Sequence, residues 1–470
     1  MKNNKNSRIL FIQPHKAVLT EDIERGSHSK FLAETTDSFA RVVPSLPAMT
    51  ILGALPEYEH HFIDATADEP GNIFKYNDKV SLIGLSDDHL LDEISGINPG
   101  AILITSMFTA EYYSANRIIS MIKRNFDIPV IVGGHHATLR PEWHLEAGAD
   151  IIVPGEGETS IKGTIEAIKK GKTANPQKKQ DNTRYDLSTD WDIETVLKRK
   201  DGSNRYPLSA VTRNHRLYLP EKASPGSSTG VLYASRGCPY SCEYCNATER
   251  DGKRIRHMPL EKMISLTEKF ISLGANTFHN ESDTFGIHPF DKEYLKWAAG
   301  ERMKDREINL ANNNSFFARY FFREGRFLPE RADLLRDAGF RTITISIESF
   351  NEKYNRGKLK GISIPSIRDC FSYIKQQGLN LDIYMMYLFP GQTEEELKQE
   401  IRKAEELSMY ADAITWRSLT YFPGTEYYDW AIRTGKFTEQ EYKEIINQGI
   451  SFYHVSDRFN FSRIKNPPKL

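Results

Sequence analysis

Arg236-Gly237-Cys238-Pro239-Tyr240-Ser241-Cys242-Glu243-Tyr244-Cys245-Asn246 sets three cysteines at the spacing C-x3-C-x2-C, directly after an apolar, strand-like run at 230–235. A loop of that length can wrap three thiolates around one corner of a cubane iron–sulfur cluster. The fourth iron then has no protein ligand and is a place for a cofactor or substrate to chelate. The alternative for clustered cysteines is zinc, which usually takes a fourth Cys or His and often pairs C-x2-C motifs. His257, downstream, is the available fourth ligand. The iron–sulfur reading is the stronger of the two.

Beyond this loop the sequence repeats a strand–helix unit. Candidate strands at 231–234, 277–280, 308–311, 342–347, 381–388 and 413–419 are separated by helical patterns. Residues 262–273 set Met263, Leu266, Phe270 and Leu273 on one face and stop at Gly274. Residues 328–338 place Leu334, Leu335 and Ala338 likewise, and Thr393-Glu394-Glu395-Glu396 is a capping box ahead of inward-facing Leu397, Ile401 and Ala404. Six such units predict a partial (β/α)6, TIM-like barrel with its chemistry at the carboxyl ends of the strands. The cysteine loop falls at the first of those ends. Polar groups crowd the next three: His279-Asn280-Glu281-Ser282-Asp283, Asn312-Asn313-Asn314-Ser315 and Ser346-Ile347-Glu348-Ser349. Glu281 or Asp283 can hold an ammonium group by charge-assisted hydrogen bonds. Taken singly, these two and Glu348 suit ordinary helix capping as well.

Upstream, residues 1–160 read as an open parallel α/β domain. Apolar runs at 8–12, 60–64, 101–105, 129–134 and 150–154 have the character of buried parallel strands, with 81–85 a candidate edge strand. Helical patterns at 46–55 and 113–124 lie between them. This alternation predicts a doubly wound, Rossmann-like sheet, which binds ligands at its strand carboxyl ends. Those ends carry Thr105-Ser106-Met107, Gly133-Gly134-His135-His136-Ala137 and Pro154-Gly155-Glu156-Gly157-Glu158. Glycines let a bulky ligand approach the backbone, and small hydroxyls can contact a nucleotide tail.

Together these blocks resemble the radical S-adenosylmethionine (SAM) enzymes that carry a cobalamin-binding domain, the group of the class B radical SAM methyltransferases. C-x3-C-x2-C is the radical SAM signature. Gly133-Gly134-His135-His136-Ala137-Thr138 and Gly155-Glu156-Gly157-Glu158 match the Gly-Gly-x-His-Ala-Thr and Gly-Glu-Gly-Glu blocks of the cobalamin-binding domain. Ser346-Ile347-Glu348-Ser349 is similar to Gly-Ile-Glu-Ser with serine at 346, and Pro390-Gly391-Gln392-Thr393 and Pro423-Gly424-Thr425 match late loops. The resemblance spans nearly the whole chain.

It implies a [4Fe–4S] cluster on Cys238, Cys242 and Cys245, and SAM with Tyr244 against its adenine and Glu281 or Asp283, Ser346 and Glu348 near it. It implies cobalamin on Thr105, Ser106, Met107, Gly133, Gly134, His135, Gly155, Glu156 and Gly157. In such enzymes the reduced cluster cleaves SAM to a 5′-deoxyadenosyl radical, which takes hydrogen from an unactivated carbon of a small-molecule substrate. Methylcobalamin then supplies a methyl group. The implied activity is thus a methyltransferase, with cyclisation or rearrangement without methyl transfer as the alternative. Methylthio transfer is disfavoured, because that branch needs upstream cysteines for a second cluster and residues 1–237 contain none. An electron donor such as flavodoxin or ferredoxin is the implied protein partner. The Asp-x-His-x-x-Gly that presents a histidine to cobalt in many cobalamin proteins reads Gln13-Pro14-His15-Lys16-Ala17-Val18 here. His15 then reads as a surface-loop residue, with cobalamin held without a protein histidine on cobalt.

A chain of 470 residues suits two or three domains. The expected division is 1–160 cobalamin-binding domain, 161–229 linker, 230–435 radical SAM barrel and 436–470 C-terminal extension, whose Phe452, Tyr453 and Phe459 can cap the barrel mouth. The 62 basic and 63 acidic residues balance, so no overall field recruits nucleic acid or an anionic membrane. Four cysteines, three of them clustered, argue against a disulfide framework, and Cys370 reads as a small core residue of a helix. The apolar run at 9–12 is too brief for a signal peptide and no run approaches a membrane span, so a cytoplasmic protein is expected. A non-catalytic cobalamin-binding regulator would have lost the cysteine triad or gained a DNA-binding module. The triad is intact and no such module is visible.

Overall fold

Short runs of Ile, Leu and Val bounded by Pro, Gly or Asp form strands buried on both faces. The computed structural model describes residues 7–19, 44–109, 112–170, 190–206, 228–312, 314–355, 359, 361–447, 462 and 464. Two compact units are present. The first begins with β1 (Arg8–Gln13), β2 (Lys16–Leu19), α1 (Leu46–Gly53), β3 (Glu59–Asp64), β4 (Ile73–Lys75), β5 (Val80–Ile83), α2 (Asp87–Ile97) and β6 (Ala101–Thr105). It continues with α3 (Tyr112–Asn125), β7 (Val130–Gly133), α4 (His135–Leu139), α5 (Pro141–Leu145), β8 (Ile151–Val153), α6 (Ile161–Lys169) and α7 (Ile193–Leu197).

Five of these strands form one sheet in the order β3-β1-β6-β7-β8, parallel throughout. The order reverses between β1 and β6, and doubly wound sheets take ligands at that switch point. Leu10, Ile12, Ile102 and Ile104 of the sheet pack against Ile94 of α2 and Ile118 and Ile122 of α3. The candidate edge strand at 81–85 does not join this sheet: β5 pairs antiparallel with β2 and β4 in a separate one. The short β4–β5 connection enforces hairpin pairing, since a parallel crossover needs a dozen residues or more.

Part of the expected linker is built into this unit. Tyr206 is fully buried with its hydroxyl donating to Asp64 Oδ2 at 2.8 Å, and Arg205 Nε lies 2.7 Å from Asp68 Oδ1. The basic run at 171–180 and the turn-rich stretch up to 227 fall outside the described residues.

The second unit carries β9 (Ser228–Leu232), β10 (Ser235–Arg236), β11 (Arg256–His257), α9 (Leu260–Ser272), β12 (Ala275–Asn280), α10 (Pro289–Arg302), β13 (Asn309–Asn312) and β14 (Phe316–Phe317). Helix α8 (Ala247–Asp251), between β10 and β11 in the chain, groups with the first unit. The hairpin β15 (Phe322–Arg323) and β16 (Arg326–Phe327) follows, then α11 (Pro329–Asp337), β17 (Thr342–Glu348), α12 (Glu352–Asn355), α13 (Ile364–Gln376), β18 (Asn380–Tyr387), α14 (Glu394–Ser408) and β19 (Ala413–Ser418). β9, β12 and β13 pair in parallel, as do β17, β18 and β19. A parallel bridge between Leu310 and Phe340 links the two sets. The six strands therefore stand in chain order, as a partial barrel wall requires. The insertion bearing β14, which pairs with β17, is not anticipated by the six-unit pattern. Thr393 caps α14, accepting from Glu396 N at 3.2 Å, while Thr393 N donates to Glu396 Oε2 at 2.8 Å. Cys370 is buried in α13, as a core residue.

The last two described helices, α15 (Glu426–Arg433) and α16 (Glu439–Asn447), belong to the first unit. Trp143 Nε1 donates to Glu439 Oε1 at 3.1 Å and Tyr112 Oη to Asn447 Oδ1 at 2.5 Å. Phe452, Tyr453 and Phe459 lie outside the described residues. Ile464 is buried in the second unit against Leu388 and Leu397.

Candidate active site

In the second unit, β9 delivers the chain to β10, and the cysteine loop opens at Gly237, whose φ of +94° suits glycine. Cys238 is buried, Cys242 half-buried and Cys245 exposed. Burial, then repulsion from Cys245, Asp283 and Cys242, pushes the Cys238 thiol up to about 11. Iron binding would therefore have to displace a proton here, as thiolate coordination does. Among the described residues no three side chains of His, Cys, Asp or Glu converge as ligands of a single ion. The thiols of Cys238, Cys242 and Cys245 are near enough to one another to interact electrostatically. His257, the fourth ligand a zinc site would need, stacks on His288 with ring centroids 3.5 Å apart.

The loop is fastened from the segment that follows β12. Ser235 N donates to Ser282 Oγ at 3.1 Å, and Thr284 Oγ1 donates to the Gly237 carbonyl at 3.3 Å. Ser282 and Thr284 are buried and alternate with half-buried Glu281 and Asp283. The even positions tie down the loop. Asp283 is near enough to raise the Cys238 thiol. Glu281 extends the sheet pairing, its N–H donating to Leu232 O at 2.8 Å. A polar chain then crosses the strand ends. Ser282 Oγ donates to Asn280 Oδ1 at 2.9 Å, and Asn280 Nδ2 to Asn312 Oδ1 at 3.1 Å. Asn312 Nδ2 donates to the Ser315 carbonyl at 2.7 Å. Ser315 and Ser346 share a hydrogen bond between their hydroxyls.

Glu348 ends β17 at φ +65°, outside ordinary strand geometry. The β17–β18 register shifts between Ser346 and Glu348, a bulge that re-aims the side chain. Burial, the Glu348 carboxylate and Cys242 together hold the Tyr244 phenol well above its usual range. Tyr244 also meets Phe389 edge-on, centroids 6.2 Å apart. Tyr244, Cys242, Glu348 and Phe389 thus form one neighbourhood. The support residues Ser235, Ser282 and Thr284 and the aromatic Phe389 escape sequence reading. The only signal for the first three is a run of small hydroxyl residues beside the loop and the second strand.

In the first unit, the three strand-end loops are bonded to one another. Ser106 N donates to Gly133 O at 2.8 Å, and His136 N donates to Ser106 O at 3.0 Å. Thr138 Oγ1 donates to Gly134 O at 2.9 Å and accepts from Gly155 N at 2.9 Å. Thr105 Oγ1 and Ser106 Oγ are buried without a hydrogen-bond partner, an arrangement that costs roughly 1–3 kcal/mol per group unless a ligand satisfies it. Met107 and His135 are half-buried beside them, and Glu156 is buried. These ends therefore fit a ligand that offers hydrogen-bonding groups to the switch point.

His15 is buried rather than on the surface. Its ring meets Phe74 edge-on, and its Nε2 lies 2.8 Å from the Leu85 carbonyl. That nitrogen must carry the hydrogen and so has no lone pair for a metal. The ordinary loop reading fails because the carbonyl of Leu85 and the ring of Phe74 enclose the imidazole. Burial pushes its pKa down to about 4.

Residues 35–164 match the B12 binding domain model, and residues 232–404 match the radical SAM superfamily model. The parallel sheet, the three-thiol loop and these two matches define a radical SAM enzyme with a cobalamin-binding domain. The chain belongs to the cobalamin-binding radical SAM enzymes, whose cofactors are a [4Fe–4S] cluster, SAM and cobalamin. They act on small-molecule substrates and need a reductant. An uncharacterized methyltransferase of Pyrococcus horikoshii is 25% identical over 368 residues, covering 74% of either chain. Bacteriochlorophyllide d C-8(2)-methyltransferase of Chlorobaculum tepidum is 23% identical over 380 residues, 77% of this chain and 75% of the relative. The fold is similar to that of the radical SAM methyltransferase TsrM from Kitasatospora setae, solved with tryptophan substrate and a SAM analogue. The TM-score is 0.60 at 17% identity, over 89% of this chain and 74% of that one.

Proposed function

We propose that the chain is a cobalamin-dependent radical SAM methyltransferase acting on an unactivated carbon of a small molecule. The observation that carries it is the pairing, in one chain, of a three-thiol loop at a barrel strand end with unsatisfied hydroxyls at the switch point of a parallel sheet. When bound, the cluster, SAM and methylcobalamin supply hydrogen abstraction from an inert carbon and the methyl group that replaces the hydrogen.

The protein's residues position and protect. Cys238, Cys242 and Cys245 would hold the cluster as thiolates, with Ser235, Ser282 and Thr284 fixing their loop. Asp283, beside Cys238, and Glu281 would bind the SAM ammonium group. Tyr244 and Phe389 offer aromatic faces to the adenine, and Ser346 and Glu348 complete that side. Thr105, Ser106, Met107, Gly133, Gly134, His135, Gly155, Glu156 and Gly157 would line cobalamin, with no histidine on cobalt. We assign residues 1–160 to the cobalamin domain and the second unit, with strands β9 to β19, to the radical SAM domain, with flavodoxin or ferredoxin as electron donor in the cytoplasm. Among the described residues no helix is long and apolar enough to cross a membrane.

Anaerobic turnover with candidate substrates tests this reading. Methyl transfer consumes two SAM molecules, giving one S-adenosylhomocysteine and one 5′-deoxyadenosine, and the product gains one methyl mass. Deuterium at the reacting carbon should appear in 5′-deoxyadenosine. Formation of 5′-deoxyadenosine with no S-adenosylhomocysteine and no added methyl would replace the proposal with cyclisation or rearrangement.

A further inference from the structure

A second feature adjoins the cysteine loop at the β10–β11 ribbon. β10 and β11 pair antiparallel with Ser235 opposite His257 and Arg236 opposite Arg256. Ser235 lies three residues before Cys238, so the ribbon's end is within roughly 10 Å of extended chain from the first thiol. The His257 ring stacks on His288, and the exposed ring of Phe290 lies 4.9 Å from His288 and 6.2 Å from His257. His288 Nδ1 accepts from Phe290 N at 3.3 Å, which fixes the stack. Ile287 and Phe290 keep 38% and 46% of their surface exposed, so two large apolar side chains stand together at the surface here. The patch is rigidly coupled to the cysteine loop, because Ser282 and Thr284 on the same 281–288 segment bond Ser235 and Gly237.

Charge decides what fits there. Lys253 and Arg254 are exposed at the approach to β11, and no carboxylate occurs between Asp251 and Glu261. On the neighbouring helix α10, Glu293 is engaged by Lys296 at 2.9 Å. His257 and His288 both titrate below the ordinary histidine range because of burial. The cationic character therefore comes from Lys253 and Arg254 and persists at neutral pH. An apolar centre with a charged rim is the anatomy of a transient protein contact, and redox partners use small interfaces of this kind.

We propose that Ile287, His288 and Phe290, rimmed by Lys253 and Arg254, form the docking face for an acidic one-electron carrier protein. The carrier passes one electron to the cluster through the β10–β11 ribbon and is itself oxidised by one electron. The inference rests on the reading that the cysteine loop holds a cluster.

The test compares a protein donor with a small one that needs no docking. The double variant Lys253→Glu/Arg254→Glu and, separately, Phe290→Ser are assayed for SAM cleavage with reduced flavodoxin and with dithionite. Charge reversal on a steering rim is expected to raise the KM for flavodoxin about tenfold, while dithionite-driven cleavage stays within about twofold. Binding of oxidised flavodoxin, followed by calorimetry at about 50 and about 300 mM salt, should weaken and lose its salt dependence in the double variant. Unchanged KM and binding would overturn the proposal. So would an equal loss with both reductants, which would make the patch a support for the loop. Failure of the wild-type protein to cleave SAM with either reductant would sink the cluster reading and this proposal with it.

Discussion

Three glycines at the sheet ends separate a glycine needed by the fold from one needed by a ligand. Gly134 has φ +104°, and a Cβ there would sit 2.6 Å from the Ser106 carbonyl oxygen and 2.9 Å from its carbon. The glycine-only backbone region costs an ordinary residue about 1–3 kcal/mol. Relief of the clash would break the Ser106 N to Gly133 O bond or the His136 N to Ser106 O bond, about another 1 kcal/mol each. Gly134→Ala should therefore cost about 2–5 kcal/mol. Gly157 differs: its Cβ would crowd Ile51 Cδ1 at 2.8 Å and make an ordinary contact with Val153 Cγ1 at 3.5 Å. Ile51 Cδ1 is the movable end of a side chain, so Gly157→Ala should cost less than about 1 kcal/mol. At Gly133 the nearest atom to a Cβ is Val153 O at 3.4 Å, and the fold should accept alanine. If cobalamin presses on this backbone, however, Gly133→Ala should weaken its binding with no change in melting temperature. Each variant needs two measurements, thermal denaturation of the cobalamin-free protein and absorbance titration with hydroxocobalamin. About 2 kcal/mol lost from the binding-competent loop corresponds to roughly a 30-fold weaker Kd. A Gly134→Ala protein that melts and binds like wild type would refute the pinned-loop argument. A Gly133→Ala protein with wild-type affinity would remove Gly133 from the site.

Replacing Cys238, Cys242 and Cys245 with alanine should abolish iron incorporation and the broad visible absorbance of the anaerobically reconstituted protein; zinc in the wild-type protein instead of iron would contradict the cluster. His15→Ala should leave the EPR spectrum of bound Co(II) cobalamin unchanged and free of nitrogen splitting, because the ring is buried against Phe74 with Nε2 held by the Leu85 carbonyl; splitting that vanishes in the variant would reverse the assignment. Acid should loosen the first unit. Burial pushes His15 and His144 down to about 4, and His136 well below its usual value. Between about pH 6.5 and 4 the unfolded chain thus binds more protons, so stability is full above about 6.5 and is lost as pH falls. The loss is of order 3 kcal/mol for each of His15 and His144. Denaturation midpoints that do not fall across this range would refute these buried neutral histidines.

The sequence alone determined the elements that rest on local chemistry. Apolar runs such as 101–105 specify buried strands, Thr393 and Glu396 specify a helix start, and the cysteine spacing specifies which thiols act together, because each depends on neighbours a few residues away. The resemblance carried by the glycine blocks and the loop extended that reading to the cofactors. Only the tertiary structure decided what depends on distant partners. β5 left the main sheet for a hairpin, and His15 turned inward to Leu85. Tyr206 reached back to Asp64, and α15 and α16 joined the first unit. The support of the cysteine loop by Ser282 and Thr284, and the approach of Glu348 to Tyr244, likewise arise where separate strands end side by side. Such pairings are set by how whole elements pack, and hydroxyl residues carry no local pattern that announces which distant backbone they will bond.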